Sequence, residues 1–378
     1  MQNKWEYKAN IGKEEEQAVL EVLKKKDLSG FHRDFEGGEK VKEYEKSWQE
    51  YLSIEYAITV NSGTSALHTA LMALGIKKGD EVIVTPYSFS ASATCVLMVN
   101  ATPVFVDIDE NTYNMNPDLI EQKITKKTKA IIPVHLYGQP CDMDKIMQIA
   151  KKHKLYVIED ACQAPGSEYD GKKVGTIGDI GIFSTVETKN ITTGEGGVIV
   201  TNNKDIASDC KLIRNHGEVY LKGLSRSYLS EVVGYNFRMT EINAAIGIEQ
   251  MKKLDSFNEQ RNKLASYLIR NLKNIRGITV PKETPKSKMV YHILCLRYKR
   301  DLEMSREQVI KQVRKKGVTI DKGYPRPIYK NPTFKKYASN CPNAEKVCQE
   351  SIIIRLIRPE YNIKDMVEIV SAFEEVLI

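Results

Sequence analysis

Seven short runs of β-branched and aliphatic residues, separated by stretches with a helical period, fill residues 56–201. They are YAITV (56–60), EVIVT (81–85), PVFVD (103–107), KAIIPV (129–134), LYVIED (155–160), DIGIF (179–183) and GGVIVT (196–201). Helical patterns lie between them at 64–75, 88–99, 117–124 and 142–153. Strands that are apolar nearly throughout, rather than on alternate positions, must be covered on both faces. Helices are the elements available to cover them. The pattern therefore predicts an α/β domain built on a largely parallel sheet. Ahead of it, a helix is expected at 14–26, with Ala18, Val19, Val22 and Leu23 on one face. The stretch DLSGFHRDFEGGEKV reads as a loop, and 41–52 as a second helix.

Past residue 250 the texture changes. A long helical pattern, EQMKKLDSFNEQRNKLASYLIRNLKNI, gives way to ITVP, then to an expected strand at 289–298 and a helix at 305–316 capped by Ser305. A last helix at 363–377 spaces Ile363, Met366, Val367, Val370 and Phe373 as one buried stripe. The division drawn from this is a large α/β domain over 1–250 and a smaller α+β domain over 251–378. Neither repeats nor low-complexity tracts interrupt it.

Charge excludes several roles. The net +7 is the small excess of 56 basic over 49 acidic residues, and the lysines are scattered. Short clusters such as Lys24-Lys25-Lys26 follow Glu14-Glu15-Glu16 within one segment, which reads as a solvated helix face rather than a nucleic-acid patch. A mild positive balance favours anionic substrates. The seven cysteines (95, 141, 162, 210, 295, 341 and 348) include no CxxC pair, so neither a metal site nor a disulfide framework is expected. No apolar run approaches the roughly eighteen residues of a membrane span, and the first residues lack the apolar core of a signal peptide. The expectation is a cytoplasmic protein.

In a parallel α/β sheet, ligands bind beyond the carboxyl ends of the strands, and four motifs sit there. In VNSGTSALHTAL, Ser62, Gly63 and Thr64 open a helix as a strand ends, where free N–H groups and the helix dipole suit a phosphate. Plain helix capping explains the same residues equally well. It is not a Walker loop, since no Gly-Lys-Ser/Thr follows. In TPYSFSASA, Phe89 is either a core aromatic or a flat lid over a ligand ring. In VIEDACQAPG, Asp160 either caps the next helix or pairs with a cationic ring nitrogen, the partner that pyridoxal phosphate needs to act as an electron sink. In STVETKNITTGEGGVIVTNN, Lys189 alone would read as a solvated lysine beside a turn. With the other three motifs it fits an amine that condenses with an aldehyde cofactor, provided its surroundings lower its pKa. Ser184 adds a hydroxyl for the phosphate.

The chain resembles the DegT-type sugar aminotransferases, pyridoxal-phosphate enzymes of the aspartate-aminotransferase superfamily (fold type I). NSGTSAL, TPYSFSA, VIEDACQAPG, TKNITTGEGGVIVTN, RNHG and GYNFRMTEINAAIGIEQ carry the likeness, in order, over nearly the whole chain. The resemblance implies a homodimer with active sites at the subunit interface. It makes Lys189 the Schiff-base lysine and general acid/base, and pairs Asp160 with the pyridinium nitrogen. Gln163 would lie near the phenolic oxygen and Phe89 on the ring. Gly63, Thr64 and Ser184, with Ser62 beside them, would hold the phosphate, and Asn236 would reach the phosphate of the neighbouring subunit. Three positions depart from the family pattern: Thr185 where many members have an aromatic, Gln163 where many have histidine, and Arg355-Leu356 where leucine-proline is common.

What the resemblance implies is transfer of an amino group from L-glutamate to a keto sugar, with pyridoxamine phosphate as the alternate cofactor form. The sugar would be a nucleotide-linked 4-keto-6-deoxy or 3-keto hexose, in amino-sugar or surface-polysaccharide biosynthesis. The rival within the family is a sugar dehydratase, whose members carry histidine at the Schiff-base position, so Lys189 speaks against it. A nicotinamide-dependent nucleotide-sugar oxidoreductase would need a GxGxxG after the first strand, and none is present. A non-catalytic sensor of the same fold is the third rival.

Overall fold

Residues 8–31, 35–219, 228–299 and 303–377 are described by a computed structural model of the chain. All seven apolar runs become strands. β1 (Tyr56–Val60), β2 (Glu81–Val84), β3 (Thr102–Phe105), β4 (Thr128–Ile132) and β5 (Tyr156–Asp160) come first. Two-residue strands β6 (Glu168–Tyr169) and β7 (Lys172–Lys173) follow, then β8 (Ile180–Ser184) and β9 (Gly197–Thr201). The sheet order is β1-β9-β8-β5-β4-β2-β3. Only β9 runs against its neighbours, pairing antiparallel with both β1 and β8. The other six strands therefore end on one edge of the sheet, which is what gathers the four motifs.

Alternate residues of these strands enter two cores. Ile58, Val60, Val82, Val84, Ile158, Ile182 and Ile199 face one side. That side is covered by α3 (Gly63–Ala73), α4 (Ala91–Met98) and α6 (Lys204–Arg214), with α1 (Lys13–Lys25) and α2 (Glu39–Leu52) preceding them in the chain. Ala57, Ile83, Ile131, Val157, Phe183 and Val200 face the other side. There they meet α2, α5 (Met143–His153) and the first half of α7 (Glu241–Leu272). Burial on both faces is the demand read from the apolar runs.

The second half of α7, from Leu264 onward, enters a third core with a smaller antiparallel sheet. That sheet is ordered β10 (Ile278–Thr279), β12 (Leu294–Tyr298), β14 (Ser351–Ile354), β13 (Asp321–Lys322). α8 (Arg306–Lys315) and α10 (Ile363–Leu377) pack in this core, α9 (Pro342–Glu350) buries Ala344, Val347 and Cys348 in the first core, and β11 (Ser287–Lys288) joins β6 and β7 in a separate ribbon. Ser305 caps α8 as expected, accepting from the Gln308 N–H.

Several local expectations are corrected. Residues 117–124 form two short 3₁₀ turns, because the buried Pro117 and Ile120 are three apart and match a three-residue turn. The strand expected over 289–298 starts only at Leu294, since the Val290 and His292 N–H groups donate to Gly138 and Tyr137 carbonyls instead. In α10, Val367 is 44% exposed and Ile369 takes its place in the buried stripe. In α1, Glu15 is buried rather than solvated and bonds Lys253 Nζ at 2.7 Å. Among the described residues, no helix is long and apolar enough to cross a membrane.

Candidate active site

Gly197 opens β9 and pairs with Val60 on one side and Ser184 on the other, so the ends of β1 and β8 meet across a single residue. A Cβ there would lie 2.3 Å from the Ser62 carbonyl oxygen, so only glycine permits this approach. Next to it, Ser62 caps α3. Its hydroxyl accepts from the Ser65 N–H at 3.1 Å, and the Ser65 side chain reciprocates. The capping reading of Ser62 is therefore correct for its side chain. Yet among the described residues nothing accepts from the N–H groups of Gly63 and Thr64. These two donors, the Thr64 hydroxyl and the Ser184 hydroxyl surround one space at the positive end of α3. A Cβ on Gly63 would come within 2.9 Å of Ser184 Cβ and crowd it.

Asp160 ends β5 opposite Ile182 of β8, which sets it two residues from Ser184 across the ladder. It is buried. Its Oδ2 accepts from the Ser92 hydroxyl at 2.7 Å and its Oδ1 from the Cys162 N–H at 3.2 Å. Gln163 is fixed by the Tyr137 N–H, which donates to its Oε1 at 3.0 Å. Tyr137 takes a left-handed backbone, φ 57°, to aim that N–H, a conformation that costs energy in a non-glycine residue. Tyr324, two residues past β13, stacks on Tyr137. Burial pushes the Tyr324 hydroxyl up to about 12, against Gln163 and the positive field of Arg355.

Lys189 lies in the turn between β8 and β9. Burial pushes its pKa down and the Arg355 guanidinium adds to this, while Cys162 and Asp160 pull the other way. The turn is held from α7. Asn243 Nδ2 donates to the Thr193 carbonyl at 2.6 Å, and Gln250 Oε1 accepts from the Thr192 N–H at 3.1 Å. Asn258 binds both loops of the site: its Oδ1 accepts from Asn190 Nδ2 and its Nδ2 donates to the Pro165 carbonyl, each at 2.8 Å.

Ser62, Gly63, Thr64, Phe89, Asp160, Gln163, Ser184 and Lys189 all line one cavity of about 410 Å³. Phe89 is 62% exposed at its rim, so the core-aromatic alternative falls. Asn236 does not line this cavity; it is exposed and forms an isolated backbone bridge with Asn215. Sequence reasoning missed Ser92 and Cys162, although both stand inside motifs it quotes. Tyr324 and Asn258 it missed because nothing local marks them; they arrive from the far end of the chain and from α7.

The residues present fit pyridoxal phosphate. Unpaired N–H and hydroxyl donors at a helix N-terminus suit its phosphate, a buried carboxylate suits its ring nitrogen, and an exposed phenyl ring offers a stacking face. A desolvated amine completes the set. A model of the DegT/DnrJ/EryC1/StrS aminotransferase family matches residues 9–374. The chain is 37% identical over 342 residues to a GDP-perosamine synthase of Caulobacter vibrioides, spanning 90% of this chain and 91% of the relative. An aminotransferase structure from Psychrobacter cryohalolentis superposes with a TM-score of 0.91 at 33% identity, over 98% of each chain. The structure of a GDP-4-keto-6-deoxymannose-3-dehydratase with a trapped PLP–glutamate geminal diamine superposes with a TM-score of 0.87 at 29% identity, over 97% of this chain and 98% of that one. With a family model spanning almost the whole chain and the expected residues gathered in one cavity, the chain belongs to the DegT/DnrJ/EryC1/StrS aminotransferase family.

Proposed function

We propose that the protein is a pyridoxal-phosphate-dependent aminotransferase that moves an amino group from L-glutamate to a nucleotide-linked keto sugar. One observation carries this reading: a desolvated lysine in the turn after β8 shares a cavity with a buried, hydrogen-bonded aspartate at the end of β5. When bound, the cofactor supplies an electron sink and a carrier for the amino group. Gly63, Thr64 and Ser184 hold its phosphate, with Ser62 fixing the helix end that presents the first two. Asp160 keeps the ring nitrogen protonated by its charge, and Ser92 and the Cys162 N–H hold that carboxylate in place. Gln163 offers its amide to the ring oxygen, and Phe89 offers its face to the ring.

Lys189 does the proton work. As a neutral amine it removes the proton from the donor's α-carbon. In the second half-reaction its ammonium returns a proton to the former ketone carbon of the sugar. A single base acting from one side fixes the configuration of the new amine. A dehydratase is disfavoured, because Lys189 returns this proton and the dehydratase reading expects histidine there. Asn236 serves the neighbouring subunit's phosphate in a homodimer; its exposure outside its own cavity supports this. We also retain the division into a 1–250 unit and a 251–378 unit, with α7 running through both. The seven free cysteines support a reducing compartment.

The experiment is amino transfer from ¹⁵N-labelled L-glutamate to a panel of nucleotide keto sugars, read by mass spectrometry, beside borohydride trapping and peptide mapping. Label in an amino sugar and cofactor fixed to Lys189 are expected. Cofactor on another lysine, or no transfer to any keto sugar, sinks the reading.

A further inference from the structure

The chain buries one carboxylate where the sequence suggests only a solvated helix face. Glu15, in the first turn of α1, is fully buried. A buried charge is tolerated only when partners replace its water, and Glu15 has three. Its Oε2 accepts from the Gly12 N–H at 2.8 Å. Its Oε1 accepts from Lys253 Nζ at 2.7 Å and from Gln250 Nε2 at 2.8 Å. The only other buried residue of α1 is Val22, so this polar network, more than apolar packing, fixes the start of the helix.

Gln250 is 1% exposed, and its amide is bonded on both sides. Oε1 accepts from the Thr192 N–H of the lysine turn at 3.1 Å. Nε2 donates to Glu15 and, at 2.8 Å, to the carbonyl of Asn10 in the segment that leads into α1. These partners fix which way the amide points, because an N–H only donates and a carbonyl only accepts. One side chain thus ties Asn10, 240 positions away, to the turn that carries Lys189. The same segment is held at Lys8, whose carbonyl accepts from Arg358 Nη1 at 3.4 Å. Lys8, Asn10, Gln250, Arg261 and Arg358 enclose with Lys189 a second space, of about 20 Å³, on the side of the turn that faces α7. That is room for about one water. Lys8 and Asn10 are themselves exposed, so their segment has solvent on its outer side and this small space on its inner side.

We propose that Gln250 is a positioning residue for Lys189, and that the segment it holds, residues 8–12, seals the α7 side of the lysine turn against water. The proposal rests on the aminotransferase reading only for the work that Lys189 does. A sealed turn keeps its amine poorly hydrated, which favours the neutral form. Burial is indeed the largest influence on Lys189. A released segment admits water, stabilises the ammonium and loosens the turn that aims the amine.

The test compares full-length wild type, Gln250→Leu, Glu15→Ala and Leu254→Ala. Leu254 is a core residue of the same helix, so its truncation lowers stability without breaking any of these bonds. Two measurements need no turnover. One is deuterium uptake over residues 190–193 in the cofactor-loaded protein; the other is competitive acylation of Lys189 across pH in the cofactor-free protein. Gln250→Leu should raise the uptake and move the acylation midpoint up by about half a unit or more. Turnover should fall about tenfold while KM for L-glutamate stays within a factor of about three, since aim rather than binding is lost. Glu15→Ala leaves the Thr192 bond in place, so uptake at 190–193 should stay near wild type. Its midpoint should still rise, although losing a carboxylate would by itself lower it, and this opposite sign separates water entry from charge. Unchanged uptake in Gln250→Leu, a midpoint there within about 0.2 units of wild type, or no rise in Glu15→Ala overturns the proposal. So does a shift in Leu254→Ala as large as that in Gln250→Leu, because general softening of α7 would then suffice. If the midpoints move as expected but wild type transfers no amino group, the aminotransferase reading fails and the seal stands.

Discussion

Lys189 shows how one side chain acquires a function from its surroundings. Its pKa is lowered chiefly because burial penalises the charged form, so more of it is a free amine near neutrality than of an ordinary lysine. Competitive acylation of the cofactor-free protein across pH should give Lys189 a midpoint below the ordinary 10.5. A midpoint at or above that value refutes its desolvation. Ser92 is the second test at this scale. Removing its hydroxyl strips Asp160 Oδ2 of its partner, and lost hydrogen bonds to a buried charge cost about 1–3 kcal/mol. Ser92→Ala should lower turnover roughly tenfold and shift the pH titration of the cofactor's absorbance. A variant that melts lower without moving that titration would make Ser92 a packing residue only.

Among the elements, α7 ties the two loops of the site together through its polar residues. Asn258 holds the lysine turn through Asn190 and the aspartate loop through the Pro165 carbonyl. Asn258→Leu leaves both groups buried without a partner, at a cost of about 1–3 kcal/mol each. We expect a lower melting temperature together with a fall in turnover, because Lys189 and Asp160 are no longer held in register. Asn258→Asp, which keeps an acceptor for Asn190 but loses the donor to Pro165, should fall between. Equal turnover in all three proteins would show that the strands alone position the loops.

For the whole molecule, two outcomes follow. His292 is neutral in the fold, with a pKa well below the ordinary 6.5, and burial also lowers that of His68. Below about pH 6.5 the unfolded chain binds protons that the native state refuses, so stability must rise with pH there. Each histidine contributes up to about 1.4 kcal/mol per pH unit. Urea midpoints should therefore drop between pH 7 and pH 5, and His292→Phe should flatten the drop; a wild-type slope in that variant refutes the assignment. The second outcome concerns the proposed dimer. Lys189→Ala and Asn236→Asp should each be nearly inactive. If Asn236 serves the partner, a mixed dimer has one site with both defects and one with neither, restoring up to about half the wild-type activity. Subunit exchange confirmed by mass with no recovery would return Asn236 to its own subunit.

The sequence alone determined the α/β class, because strands apolar on both faces admit few other architectures. It also determined the strand-end residues, because such ends carry recognisable loop chemistry within a few positions. It could not weigh Ser62 as cap against ligand, nor Phe89 as core against rim, since burial is a property of neighbours distant in sequence. The antiparallel insertion of β9, which brings Val60 and Ser184 to the same glycine, is a pairing choice that local patterns do not encode. Tertiary structure likewise supplied Ser92 behind Asp160, Asn258 beneath both loops, and Tyr324 against Tyr137 from just past β13. Those contacts span 68 residues from Ser92 to Asp160 and 93 from Pro165 to Asn258. At such separations only the packed fold, through burial and hydrogen-bond satisfaction, decides what meets the reacting groups.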